Sequence, residues 1–242
     1  AMHTLILEPE KFDHEYVCAP KDAPKRPTKA QLNAKKPGME SQRAMDFWGE
    51  FNEVNSNKII INNVESNDTI WGVSDWDMIH YARDSVMAHP IVSVLLDGIP
   101  ERSIWWVDEG SKKLCKCRVD VYNEAHNAIV DLKSTIDGSY SGFARSIHQY
   151  RYFVQDAFYT DGSREAGLKV NQFIFVCVEK EPPYAVSGYI LDSEWASYTG
   201  RAMYERDLSI YKQCHESGEW PGYPLDIRDQ IMPGYAKFHP IS

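Results

Sequence analysis

Apolar residues recur at two different periods along this chain, and the switches between them mark out its elements. From Glu40 to Asn52 the spacing of Met45, Trp48 and Phe51 is helical. Ser74 reads as a helix N-cap with Asp75 and Asp77 in the first turn, and Trp76, Ile79, Val86 and Met87 form the face to be buried. That helix ends near His89-Pro90, where proline disfavours a helical residue before it. Ile91–Leu96 forms a second short helical piece.

The middle of the chain turns to strand. Ser103–Val107, Leu114–Tyr122 and Ala128–Thr135 are β-rich runs separated by the turn-like DEGSKK and NEAHN, a spacing tight enough for an antiparallel meander. Ser139–Thr160 then reads as one helix with Phe143, Ile147, Tyr150, Val154 and Phe158 on one stripe. Gln172–Val178 and Ala185–Leu191 are two further strands split by EKEPPY, and a last helix runs from about Ser193 to Glu216. Residues 1–40, polar and broken by prolines, read as an irregular basic arm with one turn of helix. Residues 41–242 read as a single α/β domain with a central mixed sheet flanked by helices.

Composition changes this picture little. A chain of 242 residues with 43% hydrophobic and 25% charged residues can bury a full core, which excludes a disordered or fibrous chain. The longest apolar runs fall far short of the roughly 18 residues a membrane span needs. No basic segment followed by an apolar one opens the sequence, and Ala1-Met2 resembles a cloning remnant, so the expected location is the cytoplasm. Five cysteines without a CxxC pair argue against a zinc ribbon or a disulfide framework, and Cys115 and Cys117 read as buried thiols.

Charge is more informative by place than by sum. The net charge of −9 counts against a general nucleic-acid binder. Residues 21–36 nevertheless hold six basic residues and one acid, so a polyanion could meet a basic arm there. Arg26, Thr28 and Lys29 are its candidate phosphate contacts, and a solvated charge run is the plainer alternative.

The candidate chemistry lies on two adjacent strands. Asp120 stands between Val119 and Val121, and Asp131 and Lys133 project to one face because strand side chains alternate. Pairing through NEAHN would bring Asp120 beside Asp131, and two carboxylates in an apolar sheet repel and are costly to desolvate. A divalent cation resolves that conflict, with Lys133 beside it to orient a water and stabilise an anionic transition state. A cross-strand ion pair with Asp131 at a sheet edge fits the same spacing. On the helix that follows, His148, Tyr152, Gln155 and Tyr159 fall on one polar-aromatic side suited to a phosphodiester, or serve as amphipathic boundary residues.

Asp120, then Asp131-Leu132-Lys133, then Gln155 and Tyr159 in Q-x-x-x-Y order, resembles the PD-(D/E)XK nuclease superfamily in its RecB-like branch. The stretches MAHP (87–90), CKCRVD (115–120), YRYFVQDAFYTDG (150–162) and EWPGY (219–223) are similar to RecE-type (exonuclease VIII) nuclease domains. The resemblance covers roughly residues 20–225 and implies a restriction-endonuclease-like fold. It implies a metal site of His89, Asp120, Asp131 and the Leu132 carbonyl, and Lys133 as the catalytic lysine. Gln155 and Tyr159 would support the site, with Tyr152 among the DNA-binding residues. Val119 stands where the family name has proline.

The implied activity is a metal-dependent 5′-to-3′ exodeoxyribonuclease. It would degrade linear double-stranded DNA to 5′-mononucleotides and leave 3′ overhangs for recombination by strand annealing. The implied cofactor is Mg²⁺, for which Mn²⁺ could substitute. The implied partners are duplex DNA ends, a single-strand annealing protein of the RecT type and further copies of the chain in a ring-shaped tetramer, with no membrane. An endonuclease of the same fold and a catalytically silent DNA-end-binding module are the alternatives. A Cas4-like enzyme would need four cysteines spaced for an iron–sulfur cluster, and these are not.

Overall fold

The computed structural model describes residues 1–63, 72–192, 194–223 and Ile227. Its centre is a five-stranded mixed sheet in the order β3-β4-β5-β6-β7. The strands are β3 (Ile99–Val107), β4 (Leu114–Asn123), β5 (Ala128–Thr135), β6 (Gln172–Glu179) and β7 (Val186–Tyr189). β3, β4 and β5 form the expected antiparallel meander, β5 and β6 run parallel, and β7 returns antiparallel. A parallel pair needs a crossover, and the segment between β5 and β6 supplies one of two helices.

Those helices are α7 (Tyr140–Tyr150) and α8 (Tyr152–Glu165), where the sequence predicts one. Arg151 separates them in the left-handed region at φ 56°. The break redirects the second half of the segment. Tyr150 is thereby exposed, and Phe153 and Ala157 take over the buried stripe. The last helical segment is a π-helical turn, Glu194–Gly200, continuous with α9 (Arg201–Ser217). The predicted start at Ser193 and most of the chain beyond residue 223 lie outside the described residues.

Residues 1–40 depart from expectation. Instead of an irregular arm they begin with α1 (Met2–Leu7) and α2 (Pro9–Glu15), followed by β1 (Tyr16–Cys18) and, after a prolined stretch, α3 (Lys29–Leu32). Pro9 at the first position of α2 costs no hydrogen bond there and presets its φ. β1 pairs in parallel with β2 (Ile59–Ile61), beyond α4 (Met39–Val54). The apolar residues explain the order: Leu5, Phe12, Ile61 and Ile79 close a small cluster of their own, and Ile6 enters the main core.

The sheet buries both faces. On one, Val121, Val130, Leu132, Val176 and Val178 pack with Ala82 and Val86 of α5 (Asp75–Ala88) and Val92 of α6 (Val92–Leu95). On the other, Cys115, Cys117, Val119, Phe173 and Phe175 pack with Phe143. Cys115, Cys117 and Cys177 are buried free thiols, and burial pushes Cys117 up to about 11 and Cys177 up to about 12. Among the described residues no helix is long and apolar enough to cross a membrane.

Candidate active site

Strand β4 changes face at Asp120. Cys115, Cys117 and Val119 belong to the core beneath α8, whereas Val121 belongs to the core beneath α5. On the neighbouring strand the register position opposite Asp120 is Glu101, a non-glycine residue at φ 50° whose carboxylate is held by Arg118 at 2.8 Å. On the other side, the β4–β5 ladder runs as far as Val121 opposite Val130. Beyond it the Asp120 carboxylate accepts the Leu132 backbone N–H at 2.8 Å, so a side chain replaces the ladder where the two acids lie.

Asp131 is 3% exposed, and its neighbours explain how an acid is held there. Lys133 Nζ lies 2.6 Å from its Oδ2, and Gln155 Nε2 donates to its Oδ1 at 2.5 Å. Lys133 in turn donates to Gln155 Oε1 at 3.1 Å. Gln155 therefore bridges acid and lysine, one turn after Tyr152, whose ring lies 4.4 Å under the same ammonium. Asp131 Oδ2 has no aligned hydrogen bond and is held by the Lys133 charge alone.

Burial, and then the Asp131 charge, push Asp120 up to about 6, against the pull of His3, the Leu132 N–H and Lys133. Burial also raises Asp131, opposed chiefly by Lys133. Tyr159 is raised by burial, with both acids adding to the effect, so its hydroxyl shares their field. Each carboxylate is thus held against its burial by the cationic and N–H groups around it.

The histidine at the site is His3. Its Nε2 lies 2.5 Å from the Leu132 carbonyl oxygen and 3.8 Å from Asp120 Oδ2. His89, the predicted ligand, is placed at the C-cap of α5, where its Nδ1 accepts the Val92 N–H at 3.2 Å and closes a local turn. The proline after it sets that turn. Sequence reasoning passed over His3 because one histidine in a six-residue helix carries no local pattern. The signal available was Pro9 after LILE, which marks a helix end and a helix start in the supposed arm. Among the described residues no three or more His, Cys, Asp or Glu side chains are already arranged to hold a metal ion. His3 nonetheless lies beside the Leu132 carbonyl and Asp120, so one nitrogen and several oxygens gather at this point next to Asp131.

Asp120, Asp131, the Leu132 backbone, Lys133, Tyr152 and Gln155 are thus brought together as neighbours, while the Tyr159 ring packs against Phe158 and Phe173. His148 is not, because the break at Arg151 turns α7 away; it lines a separate cavity with Tyr140, Phe143 and Trp195. The basic segment has local work of its own. Arg26 lies 4.4 Å over the Trp48 ring, and Thr28 caps α3 in a reciprocal box with Gln31. Lys29 is the first residue of that exposed helix.

No curated protein matches this chain in sequence. Among solved structures, a candidate exonuclease from Eubacterium rectale aligns with a TM-score of 0.51 at 16% identity, covering 83% of this chain and 72% of that one. A phage-related exonuclease from Haemophilus somnus 129PT aligns with a TM-score of 0.36 at 13% identity, covering 81% and 92%. The first of these likenesses concerns the fold. In sequence, residues 1–226 match a family described as a PDDEXK-like domain of unknown function, DUF3799. With the acids, lysine and glutamine assembled at the opening between β4 and β5, the chain belongs to that PDDEXK-like family and has a nuclease-type fold.

Proposed function

We propose that this protein is a metal-dependent 5′-to-3′ exodeoxyribonuclease acting on the ends of double-stranded DNA. The observation that carries the reading is the Asp131–Lys133–Gln155 cluster beside Asp120 and His3. Such a set suits phosphodiester hydrolysis because it places cation-binding oxygens and a fixed ammonium at one point.

His3, Asp120, Asp131 and the Leu132 carbonyl would hold Mg²⁺, or Mn²⁺ in its place. When bound, the ion supplies Lewis-acid stabilisation of the phosphate charge and lowers the pKa of water. Lys133 is held by Asp131 and Gln155, so its ammonium cannot wander, and it orients the attacking water and offsets charge on the phosphate. The water oxygen bonds to phosphorus, the P–O3′ bond breaks and the 3′ oxygen leaves with a proton. Each turnover then releases a 5′-mononucleotide and leaves a 5′-phosphate on the shortened strand. A growing 3′ overhang is the substrate of strand-annealing recombination, where a RecT-type protein and a ring of several copies of this chain would act.

The test is linear duplex DNA labelled separately at its 5′ and 3′ ends, incubated with Mg²⁺ or EDTA beside a closed circular control. Early metal-dependent release of the 5′ label as mononucleotide, with the circle intact, is the expected result. Cutting of the circle would identify an endonuclease. Binding without hydrolysis in either Mg²⁺ or Mn²⁺ would identify an end-binding module.

A further inference from the structure

A polar cavity of about 330 Å³ opens beside Lys133, between the end of β5, the first turns of α7 and the residue that follows β6. Its wall brings together Lys133, Arg145, Ser146, Tyr150, Tyr152 and Lys180. The volume is at the lower end of the range for small-ligand sites, room for one nucleotide and not for a duplex.

Three observations give the cavity a chemistry. First, Tyr150, Tyr152 and Phe175 form a ladder of rings, with centroids 5.6 and 5.7 Å apart and interplanar angles of 28° and 26°. The inner two rings are packed, while Tyr150 is 60% exposed, so the ladder ends in an open aromatic face. Second, two cations overlook the same space. Arg145 is tethered by Asp137 at 3.0 Å, which uses one of its donors and leaves others, and Lys180 lines the same cavity. The Asp137 carboxylate, the nearby negative group, is occupied by Arg145 and the Ser139 N–H. Third, the floor is built for close approach. A Cβ at Gly142 would lie 2.1–2.4 Å from the Asp137 carboxylate, so glycine lets that carboxylate lie over the helix start.

We infer that this cavity seats the terminal nucleotide of the strand being cut, its base on Tyr150 and its 5′-phosphate between Lys180 and Arg145. The seat follows from the shared wall: Lys133 belongs both to the cavity and to the candidate site. A stacking face accepts any base, and two cations accept a terminal phosphate. The inference rests on the nuclease reading but is tested without hydrolysis.

The experiment measures binding of 2′-deoxyadenosine 5′-monophosphate and of 2′-deoxyadenosine to the full chain in EDTA, by equilibrium dialysis and saturation-transfer NMR. The expected result is saturable monophosphate binding in the millimolar range or tighter, with the nucleoside weaker. Tyr150→Ala should weaken both ligands by about 5-fold or more, the lower bound for one base stacked on an aromatic ring. Lys180→Glu should weaken the monophosphate alone. Both positions are exposed, so the fold survives either change. Absence of saturable binding, or monophosphate affinity indifferent to both substitutions, overturns the inference even where the labelled DNA is degraded as proposed. Binding as described with no hydrolysis of DNA would overturn the nuclease reading and leave the seat.

Discussion

Asp156 offers the sharpest quantitative test. It lies on the buried side of α8, 6% exposed, with the Thr160 hydroxyl as its hydrogen-bond donor at 3.3 Å. Burial pushes its carboxyl from 3.8 up to about 7. Between those two values the folded chain holds a proton that the unfolded chain has released, so stability falls as pH rises. The slope is about 1.4 kcal/mol per pH unit, which over the interval from about pH 4 to about pH 7 totals ~4 kcal/mol. Asp156→Asn keeps an acceptor for Thr160 and removes the titration. Denaturant unfolding of both proteins in EDTA across pH 4–8 follows this group, because acids that do not interact with it cancel in the difference. The variant should gain on the parent steadily from about pH 4 to about pH 7, by up to ~4 kcal/mol, and gain nothing more above that. A stability difference that stays flat across the range would refute the reasoning.

Lys133→Ala should lower the rate of DNA hydrolysis by about 100-fold or more, because a fixed cation at a charged transition state is lost. Near-normal turnover in a labelled-duplex assay would remove Lys133 from the mechanism. His3→Ala should raise the Mg²⁺ concentration for half-maximal hydrolysis by about 10-fold or more, with partial rescue by Mn²⁺, while His89→Ala leaves it unchanged. The reverse pattern in a metal titration would return the ligand role to His89. Gly162→Ala places a Cβ 2.3–2.5 Å from the Trp106 ring and should cost about 1–3 kcal/mol in denaturant unfolding. An unchanged midpoint would show that α8 is free to move off β3. Arg26→Glu combined with Lys29→Glu should reduce the slope of log affinity for DNA against log salt by about 2, and an unaltered slope would mean that the segment does not touch phosphate.

The sheet was legible because strands announce themselves locally. Leu114–Val119 alternates, Ala128–Thr135 opens on an apolar run, and both are bounded by turn residues, so their pairing through NEAHN brings Asp120 toward Asp131. Gln155 was legible because it shares one side of a helix with Tyr152 and stands in Q-x-x-x-Y order with Tyr159. The break at Arg151 was not, since arginine gives no warning of a left-handed residue and the apolar stripe continues across it. The first forty residues misled for the opposite reason. Prolines suggest irregular chain, yet Pro9 begins a helix, and what orders α1 and α2 is the distant surface offered by α5.

The contact between His3 and the Leu132 carbonyl spans 129 positions of sequence. Closing a loop of that size costs entropy that only tertiary packing recovers, so it belongs among the late events of folding. Because Ile6 of the same helix also packs into the main core, docking of α1 completes the core and delivers His3 to the acids in one step, so the integrity of the candidate site reports on the packing of the first helix.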